Sequence, residues 1–189
     1  MRRLLIPLVA LLMLAACNGE DMNDKDSPNP TARTSVDGVE VWDLTGTPTA
    51  TSFGIPEDKA AGVYETQKPR TVRFILPEGA ELTVEATLVT FERFGEGDAA
   101  HFTFAIRTAQ LEPDALVTDY RDILVQLKVS TDAADKLAAE IASAPDDQTE
   151  RVDVGSDEVT LDGLAIGAQA GLAPIAGSGR IIIGGSWRR

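Results

Sequence analysis

The side chains that could carry chemistry are few and scattered. Histidine occurs once, at His101, and cysteine once, at Cys17. A lone histidine has no second imidazole with which to share a metal, and no orienting partner for a triad. By alternation His101 falls on the opposite side of its segment from Phe102, Phe104 and Ile106, so a pH-sensitive surface residue is expected. Carboxylates are abundant, and Glu96/Asp98, Asp146/Asp147 and Asp157/Glu158 stand close in sequence. Glycoside hydrolysis needs two carboxyls held rigidly across a cleft, whereas these pairs lie in turn-like stretches where acids are expected anyway. Asp21, Asn23, Asp24 and Asp26 lack the spacing and the closing Glu of a calcium loop. Asp153, Asp157 and Asp162 form a looser acidic set without a recognised spacing. Gly177-Ser178-Gly179 has no helix after it, so a hairpin turn is expected there and not a phosphate cradle. The sequence also lacks the nucleophile elbow, the His-Glu-x-x-His pair, the phosphate loop and the dinucleotide fingerprint. No catalytic residue, metal site or cofactor is therefore expected.

The elements that would position any site are easier to read. Val72, Phe74 and Leu76, then Leu82, Val84, Ala86 and Leu88, then Phe102, Phe104 and Ile106 alternate with polar or smaller neighbours. Period-two patterning rich in β-branched and aromatic residues predicts strands with one buried face. Residues 77–80 and 93–99 supply turns, giving an antiparallel meander over 71–107. Val39–Trp42 predicts a short first strand, and the turn-rich residues 45–69 a long loop. Pro113 opens a helix with Leu116, Tyr120, Ile123, Leu124 and Leu127 on one face. Thr131 or Asp132 can cap a second helix, with Leu137 and Ile141 as its stripe and Pro145 as its stop. An αα-hairpin over about 113–144 follows. Strand signals return at 151–154, 158–161, 164–170 and 180–187, with Ile181-Ile182-Ile183 the strongest and expected to pair back with the meander. Strands, helices and strands in that order predict an α+β domain, an antiparallel sheet with the helical hairpin on one face. If the first and last strands are neighbours, Trp42 and Trp187 would pack together. The small-residued Leu164–Gly177 stretch would either offer close approach to a ligand or let a strand pass beneath the hairpin; the second is favoured.

The N-terminus carries the clearest address. Arg2 and Arg3 precede an uncharged apolar run from Leu4 to Ala16, too short to span a bilayer but suited to an export signal. The run ends in Leu14-Ala15-Ala16-Cys17, which resembles the lipobox of bacterial lipoprotein precursors. That resemblance implies diacylglyceration of Cys17 and cleavage between Ala16 and Cys17. It divides the chain into a signal peptide (1–16), a lipidated Cys with a disordered tether (17–36) and a single domain (37–189). The tether is expected from its polar, proline-bearing composition. Two acyl chains hold a protein stably on a membrane, and one alone only marginally. With no second cysteine there is no disulfide to form.

Loss of Arg2 and Arg3 takes the formal charge from −13 to −15, because no acid leaves with them. Such a surface excludes nucleic acid as a partner and disfavours adhesion to anionic headgroups. The expected protein is an extracytoplasmic lipoprotein of the cell membrane, or of an outer membrane where one exists, given Asn18 after the anchor. Its expected role is non-enzymatic binding of an envelope protein or small ligand. The alternatives are a passive structural or assembly component and, less favoured, a carboxylate-based hydrolase.

Overall fold

The computed structural model describes residues 29–95, 100–145, 149–173 and 176–187. Cys17, Ala16, Asp21, Asn23, Asp24 and Asp26 lie outside these residues, as do Glu96, Asp98, Asp146 and Asp147. The described strands are β1 (Arg33–Val36), β2 (Val39–Asp43), β3 (Ala61–Ile75), β4 (Glu81–Phe94), β5 (His101–Thr108), β6 (Val152–Gly155), β7 (Val159–Leu161), β8 (Leu164–Ala173) and β9 (Ser178–Trp187). They form one sheet in the order β1-β2-β3-β4-β5-β9-β8-β6, with β7 also on β8. Only the β2–β3 pair is parallel. Two helices, α1 (Pro113–Gln126) and α2 (Asp132–Ser143), complete a mixed α/β fold.

The meander stands as read, with β3, β4 and β5 antiparallel in sequence order. Ile181 and Ile183 are buried in β9, which pairs with β5 on one side and β8 on the other. Four expectations need correction. First, Arg33–Val36, assigned to the tether, is a strand: Asp37 and Gly38, both at positive φ, make the two-residue turn that pairs it with β2. Second, residues 61–69 are strand and not loop. They escaped the alternation pattern because the β3–β4 register breaks between Glu65 and Arg70, around Pro69, which cannot donate to a ladder. Third, Leu88 is only half-buried. A bulge between Ala86 and Leu88 shifts the alternation by one residue, so Val89 and Phe91 face the core in its place. Fourth, the first and last strands are not neighbours, and the two indoles are bridged by Phe91 and Phe53. Trp42 lies 4.6 Å from Phe91, Phe91 4.2 Å from Phe53, and Phe53 5.2 Å from Trp187.

The buried residues of α1 are the predicted Leu116, Tyr120, Ile123 and Leu124, followed by Leu127 at its C-cap. Proline at the first helical position suits a site whose N–H has no helical partner. The Tyr120 hydroxyl donates to Val154 O (3.1 Å) or Ala168 O (3.2 Å), and Gln126 bonds the backbone of Thr83 in β4. Thr131 occupies the cap position of α2, but its side chain makes no capping bond; Ser130 Oγ accepts from Asp132 N–H instead. Residues 44–60 contain neither helix nor strand, yet Leu44, Phe53 and Ile55 are buried. The Phe53 ring stacks on Phe91 at an interplanar angle of 8°, and Tyr64 Oη donates to its carbonyl at 2.8 Å. This segment therefore supplies core, not just connection.

Candidate functional site

The predicted chemical residues do not converge. His101 is exposed at the start of β5, its ring 6.5 Å from that of Phe94. Asp153 is paired with Arg151 (2.8 Å), and the Asp162 N–H donates to Glu78 Oε1 (3.0 Å) in the turn between β7 and β8. Asp157 and Glu158 are exposed. Among the described residues no three His, Cys, Asp or Glu side chains gather as metal ligands. The small residues Gly167 and Gly171 of β8, and Gly179 of β9, have local explanations. A Cβ on Gly167 would reach 3.4 Å from Asp157 O, one on Gly171 would strike the Arg151–Asp153 pair, and one on Gly179 would strike Leu116 of α1.

A different constellation assembles at the β1–β2–β3 edge. Glu40 and Trp42 are two apart on β2 and so share a face. Trp42 Nε1 donates to Glu40 Oε1 at 2.6 Å. On the other carboxylate oxygen Arg70 Nε (2.6 Å) and Arg33 Nη2 (3.1 Å) converge, from β3 and β1 respectively. Arg70 Nη2 also reaches Tyr64 O at 3.3 Å, while Arg70 Nη1 is buried with no hydrogen-bond partner among the described residues. The Arg33 guanidinium lies over the Tyr64 and Trp42 rings, 5.2 and 5.8 Å from their centroids, within cation–π range. The Glu40 side chain is 9 % exposed, that of Arg70 21 % and that of Arg33 31 %.

Burial alone would push the Glu40 carboxyl up. The Arg70 bond, the charge and bond of Arg33 and the Trp42 bond outweigh it and hold the group below its ordinary value. A carboxylate gripped in this way stays ionised and immobile, which suits fixing a geometry and not moving a proton. Burial pushes Tyr64 up to about 12, and likewise Tyr120. Both phenols are then structural donors at neutral pH, not acid–base groups.

Beside this network opens a groove of about 540 Å³. Arg33, Glu40 and Arg70 line it together with the hydroxyl-bearing Thr34, Ser35 and Thr71, and the hairpin turn Asp37-Gly38 also contributes. Its four formal charges balance, in a chain of net charge −13. Sequence reasoning missed this site because Arg33 fell in the supposed tether and Arg70 behind a supposed loop. The Asp37-Gly38 pair was the signal that could have found it, since Asp-Gly between extended residues marks a hairpin. Comparison with protein-family profiles, with curated proteins and with solved structures finds no match to this chain.

Proposed function

We propose that this chain is a bacterial lipoprotein, cut between Ala16 and Cys17 and held through lipid on Cys17 to the extracytoplasmic side of a membrane. In this reading its α+β domain, with the helical hairpin covering part of one sheet face, is a binding module without a reaction of its own. The observation that carries it is the groove at Arg33, Glu40 and Arg70: a polar surface on which the part-buried Glu40 carboxylate is held by four nitrogen contacts. Fixed donors of this kind suit recognition of a polar ligand. The stretch of chain from Cys17 to Asn29 can span at most about 40 Å, so the groove would work close to the bilayer.

Two measurements test the two halves of the reading. Fractionation of cells bearing the Cys17→Ser variant should find it lost from the membrane; retention there after signal cleavage would refute the anchor. A thermal-shift panel of small polar compounds should contain stabilisers of the wild-type domain whose effect Arg33→Gln removes. If no compound depends on Arg33, the groove is not the binding surface.

A further inference from the structure

The groove also indicates what chemistry it would take, given that the domain is a binding module. We propose that it binds its ligand through an anionic oxygen group, a carboxylate or a phosphate, and that Glu40 is the internal carboxylate with which that group competes. Two guanidiniums already converge on one carboxylate oxygen here, at 2.6 and 3.1 Å, both within ion-pair distance. Arginine presents a planar fork matched to carboxylate and phosphate, and Arg33 is held in place by the rings beneath it. Its orientation is fixed before any ligand arrives, which lowers the entropy lost on binding. Thr34 and Ser35 add hydroxyls that can donate to an oxyanion without adding charge, while the Thr71 hydroxyl already donates to Glu85.

The same network has a simpler use as a fastener for the edge hairpin, and the two roles predict different behaviour. Glu40 and Asp37 balance Arg33 and Arg70, so weak binding is expected of the wild type. Glu40→Gln keeps the shape of the side chain but removes its charge from beside both guanidiniums. If an external anion competes for them, this variant binds it about tenfold more tightly, one unit charge being removed at the site's partly exposed edge. If the network is only a fastener, the variant loses stability and gains no affinity.

The test titrates inorganic phosphate and, separately, acetate into the full lipidated protein in detergent, with chloride holding ionic strength constant, and follows binding by calorimetry and melting temperature. The expected result is saturable binding of at least one anion, strengthened in Glu40→Gln and lost in Arg33→Gln. Should Arg33→Gln fail to fold, Arg33→Lys, which keeps the charge and loses the fork, is expected to bind more weakly than wild type. Phosphate binding without acetate binding assigns the ligand group to phosphate, and the reverse assigns it to carboxylate. Failure of both anions in wild type and Glu40→Gln overturns the inference. If neutral compounds still stabilise the domain through Arg33 in that case, the binding-module reading survives it; if none does, both fall.

Discussion

Phe53→Ala asks whether residues 44–60 are part of the core or merely cross it. Phe53 is 2 % exposed and lies in a segment with no ladder to hold it. Its ring touches three others, stacked on Phe91 at 4.2 Å and reaching Trp187 at 5.2 Å and Phe102 at 6.0 Å. Truncating a core phenylalanine costs about 3–5 kcal/mol, and aromatic pairing supplies about 0.5–1.5 kcal/mol beyond the area term. A side chain on a loosely laid loop would cost within about 0.5 kcal/mol. The two expectations are thus separated by several-fold. Against a typical domain stability of about 5–15 kcal/mol, the larger loss would lower the melting temperature by about 6–20 °C. Urea unfolding followed by tryptophan emission reads this directly, because Trp187 neighbours Phe53 and Trp42 neighbours Phe91. A loss below about 1 kcal/mol with unchanged emission would refute the assignment of this segment to the core.

Three further outcomes follow from the same contacts. Gly62→Ala should cost about 1–3 kcal/mol in urea unfolding, because its Cβ would stand 2.8 Å from the Phe53 carbonyl oxygen, a backbone atom with little room to move. Tyr120→Phe should cost only about 0.5–1.5 kcal/mol, since Ala168 O also accepts from Ser156 N–H; Tyr120→Ala should cost about 3–5 kcal/mol by emptying the space under α1. Glu40 has a folded pKa below its ordinary 4.5, so its contribution to stability is present above that value and is lost as pH falls through the lowered one. Unfolding free energy measured from pH 6 down to pH 3 should therefore decline, and Glu40→Gln should flatten part of that decline; an unchanged slope would remove the ionised Glu40 from the account.

What was legible in the sequence was whatever one face of one element could write there. The α1 stripe from Leu116 to Leu124 and the alternation of Val72 and Phe74 or of Phe102, Phe104 and Ile106 each record a local period against a single apolar surface. The β4 bulge switched which parity faces inward, and the β3–β4 register break left residues 66–69 off the ladder between two runs of the same parity, Gly62 and Tyr64 before it and Val72 and Phe74 after it. Hence 61–69 read as loop and Leu88 as core. The 44–60 segment left no period at all, since it packs through Leu44, Phe53 and Ile55 without a regular backbone. The groove was invisible for another reason. Arg33, Glu40 and Arg70 come from three strands, and one sequence contains nothing that ties position 40 to position 70.

The edge that carries the groove is lightly laddered. β1 pairs only with β2, and β2 meets β3 over four parallel positions, Glu40 to Asp43. Something beyond the ladder has to fasten it, and the Arg33–Glu40–Arg70 contacts do so across 30 residues of sequence. Yet an ion network is a poor choice for fastening alone. The desolvation of its charges offsets most of the attraction, and apolar side chains of similar volume hold such sites equally well or better. Here Trp42 and Tyr64 already provide an apolar floor against which such side chains could pack. The network also leaves one guanidinium nitrogen buried without a partner among the described residues, a cost that an apolar fastener would not carry. Fastening accounts for a contact at this place; two guanidiniums beside an open groove are what the proposed recognition of an oxyanion would use.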